Sequence, residues 1–525
     1  MVDILVQPGI PITANSIRAS AGVSRVDPER VAPTQAVNQI SWKDSRSADR
    51  SVVLGAYLYE YDFSFFDEHR LVERSANDEA FGHPGFGYVV SHNKANTSSP
   101  LGKVNDATKV KTTVFSGGQH AIHHVELLYD RDKEGGNSGI KIPVVIEWLV
   151  ATGRDHPVWS VTWRMAQAEN PKDIKFVDDP NPDKPDFMDV RGPYGSLSFD
   201  RTPGGVGGDI IGGVAWGDFG LKFTTTGPQL TLQSPWVYNI PNAVNFTQAW
   251  TANTNAEIGI VQTRVHDKEM GYPDRVVGRE RGHTSAQNFP QKGECGDQRH
   301  YVMPCIWGWP YQLMNFDWED PNKPLDEPTT STLVGWGSPY GWLGASSFFV
   351  MDGSTAGGGG DRSYAMFIVL GPHYRFNMHS GEPDPEQGDV LITTKAVEAL
   401  AAATISNVTA GSLVLEVPKG PGATEVKNIL NGYNDNHAAY YLSAVGNQVG
   451  FTFNPANGQP VKNPLFVVQN YTARDLPNVS VDGVAITVNA GTKASEAFLS
   501  IDTTANELWL TLNRTVTVAT DIRLS

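Results

Sequence analysis

The sequence predicts an all-β protein, in which a large antiparallel β-sandwich is followed by a small C-terminal β-sandwich. Few segments keep the hydrophobic period of an amphipathic helix. Short runs of β-branched and aromatic residues recur instead between clusters of Gly, Pro, Asn and Asp, and the chain contains 52 glycines and 34 prolines. From about residue 393 onward, charged and aromatic residues become rarer, which indicates a second unit.

A chain of 525 residues is too long for one ordinary domain. We predict an irregular N-terminal arm over residues 1–40, a large β-domain over residues 41–395 and a C-terminal sandwich over residues 396–525. The last region contains runs such as SLVLEV, VGFTFN and ELWLTLN, which are typical of short antiparallel strands.

The first half of the large domain is predicted to be mostly strands. Ser51–Phe63 alternates aromatic and smaller residues, as expected for a sheet that is covered on one face. Phe65–Ala80 is the best helical candidate of this half. Val114–Met165 then contains three strand-like runs with turn signals between them, which predicts an antiparallel meander.

Three histidines lie in the first run of this meander. Strand alternation places His120 and His124 on one face and His123 on the other. Residues four apart on a strand are separated by about 13 Å, which is too far for two ligands of one metal ion. We therefore predict no metal here and assign His120 and His124 to substrate binding, with a structural role as the alternative.

The turn between the second and third runs, Thr152–Pro157, carries three adjacent polar side chains. Sites are often built on loops at the ends of sheets. Arg154 and His156 are therefore predicted to be catalytic and Asp155 to bind substrate. In the alternative interpretation, the Asp155 side chain caps backbone amides and the turn is purely structural.

A second stretch of interest covers residues 275–349, where aromatic residues are dense and clear strands are few. Long irregular segments inside compact domains are usually functional or disordered, and the aromatic content argues against disorder. Arginines suit carboxylates, and indole rings suit the C–H face of a sugar. The predicted site residues of this stretch are Arg281, His283 and Tyr311 as catalytic groups and Trp307, Trp309, Gln312 and Asn315 as substrate-binding groups.

Other chemistries are less well supported by the sequence. No Gly-x-Ser-x-Gly motif is present, so a nucleophilic serine is not predicted. Paired carboxylates stay open as an alternative, with five candidates: Glu126, Glu147, Asp155, Asp317 and Glu319.

No cofactor is predicted. Calcium is the one weak candidate, because Asp179, Asn181 and Asp183 mimic the first half of an EF-hand loop. The second half fails, since Lys184 replaces the required glycine and Val190 the final glutamate. Cys295 and Cys305 are the only cysteines, and their spacing leaves a disulfide undecided.

The formal net charge of −16 argues against nucleic acid or an anionic membrane as a partner. No apolar run is long enough for a transmembrane helix, so no membrane insertion is predicted. The first residues, MVDILVQPGIPITANS, lack the features of a signal peptide. Oligomeric state does not follow from the sequence.

A long aromatic-rich β-domain followed by a small sandwich resembles carbohydrate-active enzymes with a galactose-mutarotase-like supersandwich. The segments GRDHPVWSVTW and WPYQLMNF and the C-terminal run from NPLFVVQNY to ELWLTLN carry this resemblance. It implies a large antiparallel β-supersandwich, a secreted or periplasmic location, and a polysaccharide or oligosaccharide as substrate.

The resemblance also implies a reaction, because lyases of this build use a His or Tyr base beside a group that neutralises a uronate carboxylate. We therefore expect β-elimination, with His156 or His283 as the base, Arg154 or Arg281 as the neutralising group and Tyr311 as the acid. A glycoside hydrolase using two carboxylates is the first alternative, and a non-catalytic glycan-binding surface protein is the second. An aldose epimerase is weaker than these.

Overall fold

The structure is a computed structural model. It describes residues 2–6, 17–26, 34–45, 48–54, 58–63, 70–74, 88–92, 107–133, 136–164, 167, 189–199, 211–218, 221–226, 246–251, 256–263, 333–337, 362–373, 375–376, 383–384, 388–415, 431–491 and 494–525.

The chain up to residue 384 contributes twenty strands in the described ranges. They are β1 (Val2–Val6), β2 (Arg18–Val26), β3 (Thr34–Lys43), β4 (Asp49–Leu54), β5 (Leu58–Phe63), β6 (Arg70–Arg74), β7 (Tyr88–His92), β8 (Ala107–Ser116), β9 (His120–Lys133), β10 (Gly136–Ala151), β11 (Val158–Trp163), β12 (Asp189–Phe199), β13 (Ile211–Asp218), β14 (Leu221–Thr226), β15 (Phe246–Thr251), β16 (Ala256–Gln262), β17 (Leu333–Gly337), β18 (Arg362–Pro372), β19 (Arg375–Phe376) and β20 (Pro383–Asp384).

One helix and thirteen strands follow in the described part of the C-terminal region, with a 3-10 turn at Ala456–Gly458. They are α1 (Asp389–Ala402), β21 (Thr404–Thr409), β22 (Gly411–Leu413), β23 (Tyr433–Asn434), β24 (Ala439–Ala444), β25 (Val449–Asn454), β26 (Val461–Lys462), β27 (Leu465–Gln469), β28 (Val479–Val481), β29 (Val484–Ala485), β30 (Ala497–Asp502), β31 (Glu507–Leu512), β32 (Thr515–Val516) and β33 (Thr520–Leu524).

Two large sheets form the first part of the molecule. The ten-stranded sheet has the order β1-β8-β9-β10-β11-β18-β16-β15-β13-β14, and only its β1–β8 pair is parallel. The eight-stranded sheet has the order β17-β12-β6-β5-β4-β3-β2, with β7 also paired to β12. Side chains join the two sheets: Asn38 of β3 hydrogen-bonds His123 of β9, and the Arg50 guanidinium of β4 donates to the Leu370 carbonyl of β18. The prediction of an all-β sandwich is confirmed.

The predicted meander is also present, because β9, β10 and β11 are consecutive antiparallel neighbours. Its outer face carries a row of buried apolar residues in which each residue is the register partner of the next: Phe115, Ile122, Leu149, Val158, Phe367, Val261 and Phe246. The row belongs to the same hydrophobic core as the C-terminal strands. Fully burying each such side chain contributes about 1.5–3 kcal/mol, so this face holds the C-terminal region firmly.

The C-terminal strands form a five-stranded sheet, β21-β25-β33-β28-β29, and a six-stranded sheet, β22-β24-β27-β31-β30 with β23 beside β24. Aromatic side chains fill the space between them, with the Phe451 and Phe466 rings 4.9 Å apart. Several turns of this sandwich contain residues with a left-handed backbone conformation. Most of them are Asn or Asp, such as Asn447, Asn463 and Asp482, which tolerate this conformation better than other non-glycine residues.

Helix α1 links the two regions and packs on β15, β16 and β18. Its N-terminus is fixed from the large sheet, because the buried Glu257 carboxylate accepts the Val390 N–H at 2.6 Å. The same carboxylate hydrogen-bonds His373 at 2.7 Å, and the Trp250 ring stacks on that imidazole. Burial raises the pKa of Glu257, against the opposing effect of His373 and the amide donors.

Two local predictions are wrong. The N-terminal residues 1–40, predicted to be an irregular arm, contain β1, β2 and most of β3, because these strands find partners in both large sheets. The helical candidate Phe65–Ala80 contains strand β6, which pairs with β5 and β12. In both cases pairing with neighbouring strands of the sheet overrides a weak local signal.

Helix α1 was not predicted, and it spans the predicted domain boundary at residues 395–396. The strands before it belong to the first sheets and those after it to the C-terminal sheets, while the division into independent domains stays a prediction. Among the residues that the structure describes, no helix has the length and apolar character needed to cross a bilayer.

Candidate functional site

Four titratable side chains meet where the outer face of the meander touches the C-terminal sandwich: His124, Glu126, Glu147 and His437, here called the half-exposed cluster. His124 Nδ1 lies 2.8 Å from Glu147 Oε1, and His124 Nε2 lies 3.3 Å from Glu126 Oε1. The second oxygen of Glu147 lies 2.8 Å from His437 Nε2. The Glu126 side chain is 41% exposed and that of His124 is 27% exposed, so solvent reaches this end of the cluster.

Strand geometry explains half of this arrangement. His124 of β9 and Glu147 of β10 are direct register partners, and Glu126 follows His124 on the same face two residues later. Directly opposed residues of antiparallel strands have Cβ atoms about 4.5–5.5 Å apart, so a hydrogen bond between their side chains needs no special loop.

The other half comes from a hairpin loop of the C-terminal sandwich, residues 435–438 between β23 and β24, which presents His437 to Glu147. The Arg154 guanidinium donates to the His437 carbonyl at 3.1 Å and to the Ala438 carbonyl at 2.6 Å. Ala438 has a φ of 49°, a left-handed conformation that is costly for alanine. The loop is therefore held by contacts strong enough to maintain a strained residue.

The hydrogen bonds assign donors and acceptors within the cluster. Tyr441 OH lies 2.5 Å from His437 Nδ1. Burial and nearby negative charges raise the pKa of Tyr441 well above its ordinary value, so the phenol keeps its proton and donates to Nδ1. His437 then donates from Nε2–H to the Glu147 carboxylate.

The pKa values of His124 and Glu147 are shifted in opposite directions. Burial lowers the pKa of His124, but hydrogen bonds and the negative charges of Glu147 and Glu126 outweigh this effect and raise the pKa overall. Burial acts to raise the pKa of Glu147, but the electrostatic effect of His437 and hydrogen bonds from both imidazoles hold it far below its ordinary value. The arrangement therefore keeps a protonated imidazole beside an ionised carboxylate.

Such a pair can donate a proton to a bound molecule and recover it from a neighbouring carboxylate, which is general acid–base chemistry. Across the described ranges, no group of three or more His, Cys, Asp and Glu side chains could hold a metal ion.

The predicted catalytic residue His156 lies in a different place, the buried cluster, which we define as Asp44, Arg50, His156 and Asp389. His156 Nε2 lies 3.3 Å from Asp389 Oδ2, and Arg50 lies 3.0 Å from Asp44 and 3.5 Å from Asp389. All four residues are at most 7% exposed. Burial and the charge of Arg50 lower the pKa of His156, against the effect of Asp389.

The neighbours of His156 in the loop are engaged as well. The Asp155 carboxylate accepts the Ser45 N–H and hydroxyl, both at 2.8 Å, and the Trp42 indole donates to the Asp155 carbonyl. Both Arg154 contacts described above are to backbone carbonyls of the hairpin loop. The loop Thr152–Pro157 thus joins three parts of the fold, which accounts for its polar side chains without a substrate.

His120, predicted to bind substrate, is fully buried at the junction with the C-terminal sandwich. Its Nδ1 lies 3.0 Å from Ser500 Oγ and its Nε2 lies 2.9 Å from Thr511 Oγ1. Burial lowers its pKa to about 3. Gly117 allows this close approach, because a Cβ there would lie 2.3 Å from the Ser500 Cβ.

His123 points to the eight-stranded sheet, as strand alternation predicts, and its Nε2 lies 3.1 Å from Asn38 Nδ2. Burial lowers the pKa of His123 to about 3. The structure thus separates the three histidines by role: His120 and His123 are buried at two junctions, and His124 alone belongs to the half-exposed cluster.

The remaining predicted site residues lie outside the described residues, as do both cysteines and the calcium-like loop. These site residues are Arg281, His283, Trp307, Trp309, Tyr311, Gln312 and Asn315. Conversely, His437 and Tyr441 were not predicted as site residues, although YNDNHAAYY has the pattern of a polar turn between strands. Because both residues lie far from Glu147 in sequence, the sequence alone does not show that they are close to it in space.

A comparison with protein-family models and with curated proteins found no match to this chain.

Proposed function

We propose that the protein is an enzyme that cleaves a polysaccharide or oligosaccharide, with the half-exposed cluster as its acid–base site. The observation that carries this proposal is the position of His124 between two carboxylates, close to solvent. The fold by itself does not define a reaction, so the proposal rests on this group of side chains. A secreted or periplasmic location belongs to the same proposal.

The described residues favour hydrolysis. His124, as an imidazolium, donates its proton to the leaving glycosidic oxygen while the bond from that oxygen to the anomeric carbon breaks. A water molecule attacks the anomeric carbon, and Glu126 takes the proton that the water loses. That proton returns from Glu126 to His124 across their 3.3 Å contact, so one water is consumed and the site is restored. Glu147 raises the pKa of His124 and so favours the protonated form before the proton is donated and after it returns.

β-Elimination is the second candidate, and the resemblance noted above favours it. A base removes the proton α to the uronate carboxyl, the bond to the leaving oxygen breaks, a double bond forms, and an acid protonates that oxygen. His283, Arg281 and Tyr311 are the groups that would serve, since His156 and Arg154 have buried partners. The acidic half-exposed cluster would repel a uronate, which favours hydrolysis of a neutral glycan at this site.

The test uses a panel of neutral and uronate-containing glycans with wild-type protein, His124→Gln and a surface control, Glu496→Gln. Hydrolysis produces new reducing ends without ultraviolet absorbance, whereas elimination also produces an unsaturated, absorbing uronate. We expect new ends from a neutral glycan, a loss of about 100-fold in kcat for His124→Gln, and no change for Glu496→Gln.

Two results would overturn parts of the proposal. Absorbing products that form equally well with His124→Gln would place the chemistry elsewhere and support elimination. Retention of a glycan in affinity electrophoresis with no new ends would instead identify a non-catalytic glycan-binding protein.

A further inference from the structure

Of the four residues of the half-exposed cluster, only His437 belongs to the C-terminal sandwich. We propose that His437 is a positioning residue, by which the C-terminal sandwich holds the Glu147 carboxylate against His124 and so sets the pH range of the site. The inference rests on the acid–base role proposed for His124.

The Glu147 carboxylate is shared between two imidazoles. Its Oε1 lies 2.8 Å from His124 and its Oε2 lies 2.8 Å from His437, so both oxygens are fixed and the carboxylate plane cannot rotate freely. The Glu147 side chain is only 17% exposed, which leaves little water to take the place of His437. Removing the imidazole therefore frees one oxygen in a place where few other donors are available.

His437 is itself fixed from several sides. Its ring is hydrogen-bonded to Tyr441. The loop that carries His437 is also anchored to the large sheet, by the Asn436 amide, which donates to Thr162 Oγ1 at 3.2 Å, and by the two contacts from Arg154 to loop carbonyls. The indole of Trp509 lies edge-on to the His437 ring. A side chain held in this way serves as a rigid support for the group it touches.

The charged and titratable groups around His124 come from four directions. Glu126 and His123 share its strand, and Glu147 faces it from β10. The hairpin side adds His437 and Tyr441, and Glu507 of β31 acts on these two and on Glu147. Of these groups, His437 alone belongs to the C-terminal sandwich and contacts Glu147 directly.

The experiment titrates His124 by NMR in the full-length protein carrying isotope-labelled histidine, and measures kcat and KM over pH on the glycan found above. The variants are His437→Ala and His437→Gln, because a glutamine amide can donate to Glu147 in place of Nε2–H. Asn463→Ala is the matched control: it removes another contact across the junction, from Asn463 Nδ2 to the Gly153 carbonyl at 2.6 Å.

We expect His437→Ala to move the titration of His124 down towards the ordinary value of 6.5, because Glu147 is then held on one side only and its hydrogen bond to His124 weakens. The upper pH limit of activity, which requires protonated His124, should fall in parallel, with kcat reduced about tenfold or more and KM little changed. His437→Gln should recover much of both, and Asn463→Ala should change neither.

The outcomes separate this inference from the proposed function. An unchanged or raised titration of His124 in His437→Ala, with correct folding shown by the other histidine signals, overturns the positioning role. A lowered titration in a protein whose wild type cleaves no glycan leaves the positioning intact and refutes the enzymatic function. Equal losses for His437→Ala and Asn463→Ala would show a general loosening of the junction, which also overturns the inference.

Discussion

The two clusters are built from the same kinds of side chain and differ in what surrounds them. In the buried cluster, His156 and two aspartates enclose Arg50, and every member is nearly inaccessible. In the half-exposed cluster, His124 lies between two glutamates with one side open to solvent. Each cluster holds two carboxylates around one cation, which is Arg50 in the buried cluster and the protonated His124 in the half-exposed cluster, so the difference between them lies in exposure.

This difference matters because a buried ion network and a reactive site have opposite requirements. Burying charges is costly unless every charge finds a partner. The buried cluster therefore joins three segments, the β3–β4 hairpin, the Thr152–Pro157 loop and the start of α1, and allows little change. A site for acid–base chemistry needs a proton that can leave and return, and therefore needs solvent or substrate at one end. The presence of His beside Asp or Glu does not distinguish the two; exposure does.

The largest effect is expected from breaking the buried cluster. Arg50→Met leaves Asp44 and Asp389 buried without their cation, and we expect a loss of about 3–5 kcal/mol in the free energy of unfolding. Arg514→Met, which breaks the exposed pair with Glu496, should cost less than about 1 kcal/mol. Urea denaturation of both variants measures the two losses. Equal losses would mean that the buried network stabilises the protein no more than the exposed pair does.

The second effect concerns activity rather than stability. Glu147→Gln removes the charge that keeps His124 protonated, and we expect kcat to fall about 100-fold with the fold intact. Asp389→Asn, a change in the buried cluster, should leave kcat unchanged at temperatures where both variants are folded. Steady-state kinetics on the cleaved glycan compare the two variants. A larger loss of kcat for Asp389→Asn than for Glu147→Gln would contradict the prediction.

The third effect is a pair of opposite pH dependences. His124 has a raised pKa in the folded state, so its stabilising contribution is complete below about 6.5 and is lost as pH rises through the folded value. His156 has a lowered pKa, so its contribution is present above about 6.5 and is lost as pH falls.

We therefore expect His124→Gln to be most destabilising in acid and His156→Gln to be most destabilising in mildly alkaline solution. Thermal unfolding of both variants against wild type, from acid to alkaline pH, measures the two differences. Parallel curves for the two variants would remove the electrostatic distinction between the clusters.

The smallest effect tests the strain in the loop that carries His437. Ala438→Gly relieves the left-handed backbone at a φ of 49°, worth about 1–2 kcal/mol, but also removes a buried methyl group, worth about 0.8 kcal/mol, so we expect a small net gain in stability. Ala439→Gly, in strand β24 next to it, should instead cost about 0.5–1 kcal/mol. If both variants are destabilised equally, the loop stores no strain.

Much of the fold could be predicted because its signals are local. Alternation along Gln119–Tyr129 gave the correct faces for His120, His123 and His124, and the turn signals gave the meander. The N-terminal strands and β6 were missed because their own patterns are weak, and β1 and β6 also pair with the distant strands β8 and β12. Helix α1 was missed at a boundary where strand-like residues are common.

Of the candidate site, the sequence determined that His124 and Glu126 share a face and that Glu147 belongs to the next strand. Both facts follow from the two-residue period of a strand and the short connection between β9 and β10. Only the tertiary structure decided that His437 completes the cluster, and that His120 and His156 are buried while His124 is not. Burial depends on which surfaces meet, and the surface that meets the meander is supplied by residues about 290 positions later in the chain.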